Sequence, residues 1–176
     1  MNTIISGIAD VATSIGVFVA IWQLYLSRKT ALASYEREKK QATIDAFQKY
    51  EDKFHSFDKE LFNKFQYDEI PCEKIINDKE NEKLVRTYLN ELTLLSTGVN
   101  MGIYDIHTFG RLFGDVTIRL YKQFLPYIRY RREQRKSDFV FAEFEMLAKN
   151  MMKIKKEKKG LIDAKANIAH KISDDI

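Results

Sequence analysis

The sequence predicts an all-α protein: a single N-terminal transmembrane helix that continues into a stalk and a cytoplasmic bundle of about four helices. Three observations lead there. Glycine and proline are scarce, seven and two in 176 residues, whereas sheet proteins spend such residues on many turns. Residues 1–27 contain one charged side chain, Asp10, although 31% of the whole chain is charged. Beyond them, apolar residues return at three- and four-residue steps, the period of a helix with one buried face.

The N-terminal element comes first. From Ile4 to Leu26 the chain reads IISGIADVATSIGVFVAIWQLYL. At about 1.5 Å of rise per residue it reaches roughly 34 Å, enough for a hydrocarbon core of about 30 Å. Trp22 and Tyr25 stand near its end, where amphipathic rings favour the headgroup level, and Arg28 and Lys29 follow at once. No Lys or Arg precedes the span, so the positive-inside bias places the N-terminus outside and the rest in the cytoplasm. A cleaved signal peptide would need a basic start and a small-residue cleavage site, which this segment lacks. An interfacial helix would need a charged face. A buried core helix would suit Asp10, which costs about 2.5–3.5 kcal/mol at mid-membrane, but Asp10 lies near the outer end. Ala12, Gly16 and Ala20 repeat every four residues beside the polar Asp10, a face through which spans can associate.

The remaining chain supplies the bundle. Residues 28–41 contain YEREKKQ, polar almost all round, and suit a juxtamembrane stalk; 42–159 form the bundle and 160–176 a C-terminal tail. Ile44, Phe47, Tyr50, Phe54, Phe57, Leu61 and Phe65 make the first buried stripe, and Pro71 marks a connection over 67–78. A second helix is expected from an Asp78 N-cap to Asn100, with Leu84, Tyr88, Leu92, Leu95 and Val99 inward and Gly102 in the left-handed region after it. Asp105 caps a third helix, from Ile106 to about Arg132, whose inner face reads Phe109, Leu112, Phe113, Val116, Leu120, Phe124 and Ile128. Gly110, Gly114 and Pro126 are candidate interruptions of this helix, and Pro126 predicts a kink or restart nearby. A fourth helix is expected from Ser137 to about Lys158, burying Phe139, Phe141, Phe144, Leu147 and Met151.

Catalytic chemistry finds no foothold. The lone Cys72 excludes an internal disulfide framework and has no cationic neighbourhood to activate it. No phosphate loop or zinc spacing is present. Glu51, His55 and Asp58 share a helix face, an arrangement that can ligate a metal, but that helix is studded with acids and the spacing arises by chance. No metal, cofactor or small-molecule substrate is expected, and the protein is not read as an enzyme. The strongest charge feature is Arg129, Arg131, Arg132, Arg135 and Lys136, interleaved with Tyr127 and Tyr130. Such residues serve a solvated helix end, an anionic lipid surface or a nucleic acid, in that order of preference. The run KIKKEKK at 153–159 has the same three readings.

The segments YLNELTLLSTGVNMGIYD (88–105), FGRLFGDVTIRLYKQFLPYIRYRR (109–132) and FVFAEFEMLA (139–148) carry a resemblance. Over residues 79–148 the chain resembles a bacterial family of small, N-terminally anchored helical proteins of unknown function. The resemblance implies a helical fold and attachment to the inner membrane of a bacterium. It implies no activity and no catalytic residue. Together these features lead us to expect a membrane-tethered module that binds a protein partner or itself, in an adaptor, sensor or stress-defence role (defence against phage included). The alternative is an effector whose spans assemble and permeabilise the bilayer.

Overall fold

Long uninterrupted amphipathic stretches fold here as the sequence period requires. The computed structural model describes the backbone of residues 2–65 and 71–174 and the side chains of 16–61, 63–65 and 71–160. The described residues form five helices: α1 (Asn2–Phe65), α2 (Cys72–Ile76), α3 (Lys79–Asn100), α4 (Ile106–Arg135) and α5 (Ala142–Asp174). Among the described residues there is no strand. The chain divides into two units, Met1–Gln41 and Ala42–Ile176.

In the second unit the core is aromatic. Phe54 of α1 stacks on Phe113 of α4 at a centroid distance of 5.6 Å and meets Tyr88 of α3 edge-on at 5.8 Å. Tyr88 also meets Phe124 of α4 at 5.9 Å, and Tyr121 of α4 meets Phe144 of α5 at 6.1 Å. Edge-to-face pairs at such distances align the positive edge of one ring with the negative face of another. The expected α3 stripe is buried in full, and Phe54, Leu61 and Phe65 of the α1 stripe are buried as well.

Caps set the helix limits. Asp78 accepts from the backbone N–H of Glu80 and Asn81, and Asp105 accepts from the N–H and hydroxyl of Thr108 at 2.7 and 2.6 Å. Each satisfies donors that a helix start leaves without intrahelical partners. Gly102 has φ 76°, a left-handed conformation free of Cβ strain, and lets the chain turn from α3 into α4. The turn is locked from behind: Tyr104 lies over Gly98, and the Asp105 N–H donates to Thr43 of α1 at 2.7 Å.

Several expectations need correction. The connection at 67–78 contains the short helix α2, and its Ile75 is fully buried; one turn of helix lets a brief segment bury an apolar anchor. Helix α4 runs through Gly110, Gly114 and Pro126 without a restart. Pro126 and Lys122, whose carbonyl loses its donor, both lie on the exposed side, while Phe124, Tyr127 and Ile128 are held in the core. Leu112 is exposed on the flank of α4. Phe139, expected in the core, is 90% exposed, because 137–141 forms a turn and α5 starts only at Ala142. Lys136 (φ 47°) and Phe141 (φ 56°) take left-handed conformations around that turn. Burial of the Phe141 ring offsets the cost there, about 1–2 kcal/mol. Helix α5 also continues beyond Gly160 to Asp174, so the lysine run at 153–159 is not at a helix end.

The expected span falls on two kinds of residue. For 4–15, which include Asp10 and Ala12, the side chains lie outside the described residues. Among the described residues no helix is long and apolar enough to cross a membrane.

The packing yields a direct test. A Cβ at Gly98 would run into the Tyr104 ring. Gly98→Ala is expected to lower the unfolding free energy by about 1–3 kcal/mol, and Phe124→Ala by about 3–5 kcal/mol. Urea denaturation followed by circular dichroism measures both.

Candidate functional site

Two surfaces hold the residues that the sequence singled out. The first is the helix surface at 16–27. Val17, Phe18, Val19, Ile21, Trp22, Leu24, Tyr25 and Leu26 are all exposed, Phe18 by 74%. Because these positions are nearly consecutive, they point to every side of the helix, and no charged residue lies among them. Gln23, also exposed, is the one polar side chain among residues 17–26. The space around Gly16 is open to 4 Å, and Ala20 is exposed, so the small face is uncovered as far as it is described. Arg28 and Lys29 close the apolar stretch.

The second surface is the basic end of α4, where the five cations divide into two groups. Arg131 donates to Glu82 of α3 at 2.8 Å. Arg132 pairs with Glu145 of α5 at 2.6 Å, and its Nε–H donates to the Val140 carbonyl at 3.0 Å. Both arginines therefore tie helices together. Arg129, Arg135 and Lys136 are exposed, and Lys136 is the left-handed cap that ends α4. Tyr127 is buried, which removes it from any stacking surface; burial pushes its phenol up to about 12 despite the nearby Arg131. Tyr130 is half-buried. Phe139, placed beyond this end by the turn, adds an exposed aromatic ring that sequence periodicity assigned to the core. Its cue was Ser137-Asp138, a turn-favouring pair directly before it.

The other candidates are scattered. His55 and Glu51 are exposed, and Asp58 accepts from the Tyr88 hydroxyl at 2.9 Å. Among the described residues no three His, Cys, Asp or Glu side chains are placed to hold a metal. Cys72 opens α2, half-buried, and burial together with Glu73 pushes its thiol up, so it remains protonated at neutral pH.

Glu145 is the electrostatic anchor of the α4–α5 contact. Its carboxyl is held down at about 2, first by the hydrogen bond from Lys149, then by those from Arg132 and Tyr121, against burial acting the other way. Lys149 is 66% exposed and Arg132 only 19%, so solvent screens the lysine and the sheltered arginine carries the interhelical tie. Its folded value lies below the ordinary 4.5, so Glu145 stabilises the bundle fully above about pH 4.5. That contribution fades as pH falls toward 2. Glu145→Gln is expected to lower stability at pH 7 by about 1–3 kcal/mol and to converge with the parent protein near pH 2, as read from denaturation midpoints against pH.

No curated protein and no solved structure matches the chain significantly. A family described as Domain of unknown function (DUF4760) matches residues 11–151, from the N-terminal helix into α5. The chain belongs to that family of domains of unknown function.

Proposed function

We propose that the protein is a membrane-tethered helical interaction module without catalytic activity, anchored by residues 4–26. The observation that carries this reading is the exposed, charge-free apolar surface of residues 17–26. Burying each such side chain contributes about 1.5–3 kcal/mol, so this surface, broken only by the uncharged Gln23, gains from cover. A bilayer covers all sides of one helix at once, and the Trp22/Tyr25 pair followed by Arg28 and Lys29 fits the headgroup region of an inner leaflet. The second unit, which has an aromatic core of its own, then works at the cytoplasmic face of a bacterial inner membrane. Exposed Arg129, Arg135, Lys136 and Phe139 offer it a contact for a protein partner or for anionic lipid. An adaptor, sensor or stress-defence role suits such a tethered module, phage defence resting on the family resemblance alone; nucleic acid is not a proposed partner.

A second reading rests on the uncovered Gly16 and Ala20: spans that associate through the Ala12/Gly16/Ala20 face, with Asp10 beside it, and permeabilise the bilayer. Asp10→Leu separates the two. Ion leakage that depends on Asp10 supports the effector; leakage unchanged by the substitution removes its basis.

Alkaline-carbonate extraction tests the anchor. The full chain is expected to stay with the membranes. A Phe18→Lys/Ile21→Lys variant, each lysine costing about 2.5–3.5 kcal/mol near mid-membrane, is expected in the soluble fraction with its helicity retained. Full chain that is extracted as readily as this variant overturns the reading.

A further inference from the structure

Helices α4 and α5 border a groove of about 460 Å³, a size typical of small-molecule sites. Its floor is Gly110, Gly114, Ile118, Met151 and Ile154. The glycines stand one turn apart on α4, and a Cβ at either would lie 3.3 or 3.4 Å from the Met151 sulfur. The glycines thus let the buried Met151 pack close against α4 at the base of the groove. The floor is aliphatic and thioether, and among the described residues no aromatic side chain lines the groove. A nucleobase would find nothing to stack on, whereas a flexible hydrocarbon suits such a surface.

The rim is charged with one dominant sign. Arg111, Lys155, Lys158 and Lys159 surround the opening, with His107 at its edge. Among the described residues Asp115 is the one acid in the lining, and Lys155 Nζ contacts it at 2.6 Å. Among the described residues, four cations against one carboxylate give the mouth a positive excess over an apolar floor. All of these charged groups are exposed, so they can close on a ligand without breaking the core.

We propose that this groove binds a single-chain anionic lipid. The hydrocarbon chain lies along Gly110, Ile118 and Ile154 with the buried Met151 beneath them, and the carboxylate or phosphate head meets Arg111, Lys158 and Lys159. Charge complementarity selects the head and the absence of aromatics selects the chain. The proposal is independent of the anchor, since every residue it uses lies in α4 or α5.

The test follows the groove itself, because the N-terminal helix would also attract lipid. Full chain carrying ¹³C-methyl methionine, in nanodiscs of zwitterionic lipid or, if it does not enter them, in buffer alone, is titrated with laurate. The Met151 methyl resonance is expected to shift saturably while that of exposed Met101 stays in place. Neutral monolaurin is expected to bind at least tenfold more weakly. Arg111→Glu/Lys158→Glu, two surface changes, is expected to weaken laurate at least tenfold with helicity intact; Gly114→Leu, whose side chain meets the Met151 sulfur at the base of the groove, abolishes the shift. If Gly114→Leu does not fold, the charge-reversed pair decides alone. A motionless Met151 resonance, equal response to monolaurin, or affinity indifferent to charge reversal overturns the proposal. Displacement of laurate by an equal concentration of inorganic phosphate also overturns it, since the site would then recognise an anion only.

Discussion

Tyr88 has no exposed surface, and its ring is where three helices of the second unit meet. Phe54 and Phe57 approach it from α1 and Phe124 from α4, while its hydroxyl reaches Asp58. A tyrosine so placed contributes both a large apolar body and one directional bond. The apolar part sets how closely the helices approach. The hydroxyl adds a polar tie between α3 and α1 through Asp58. Around this point the other ring pairs extend the core toward α5 through Tyr121 and Phe144.

Polar ties then hold the rim of that core. Arg131 to Glu82 joins α4 to α3, Arg132 to Glu145 joins α4 to α5, and the Asn100 amide donates to both the carbonyl and the carboxylate of Glu143 across α3 and α5. Partly sheltered pairs of this kind cost much when one partner is removed, so they specify one helix arrangement more than they add to stability. The contrast with residues 17–26 is sharp. There, large apolar side chains stand exposed around the whole helix with no such arrangement to cover them. That difference is what motivates a bilayer for one segment and water for the other.

Much of the fold was legible because it rests on local rules. The Asp78 and Asp105 caps, the positive φ of Gly102 and the α3 stripe follow from side-chain reach and helix period alone. What the sequence concealed depends on contacts distant along the chain. Arg131 and Arg132 look like members of a basic surface until Glu82 and Glu145 arrive beside them. Phe139 looked like core because period alone cannot reveal that Lys136 turns left-handed and postpones the next helix. Pro126 looked like a break, yet tertiary burial on either side outweighs one lost hydrogen bond. The α4–α5 groove was invisible for the same reason: Gly110 and Gly114 acquire meaning only against Met151.

Whether residues 4–26 cross a membrane, with the second unit on its inner side, is tested most directly by thiol accessibility. In a Cys72→Ser background, single cysteines are introduced as Asn2→Cys and as Lys59→Cys, the latter at an exposed position of α1. Intact spheroplasts are then treated with a membrane-impermeant maleimide. Labelling of the Asn2→Cys protein before lysis, and of the Lys59→Cys protein only after it, is the predicted result. Both proteins protected until lysis, or both labelled before it, would contradict the proposed topology.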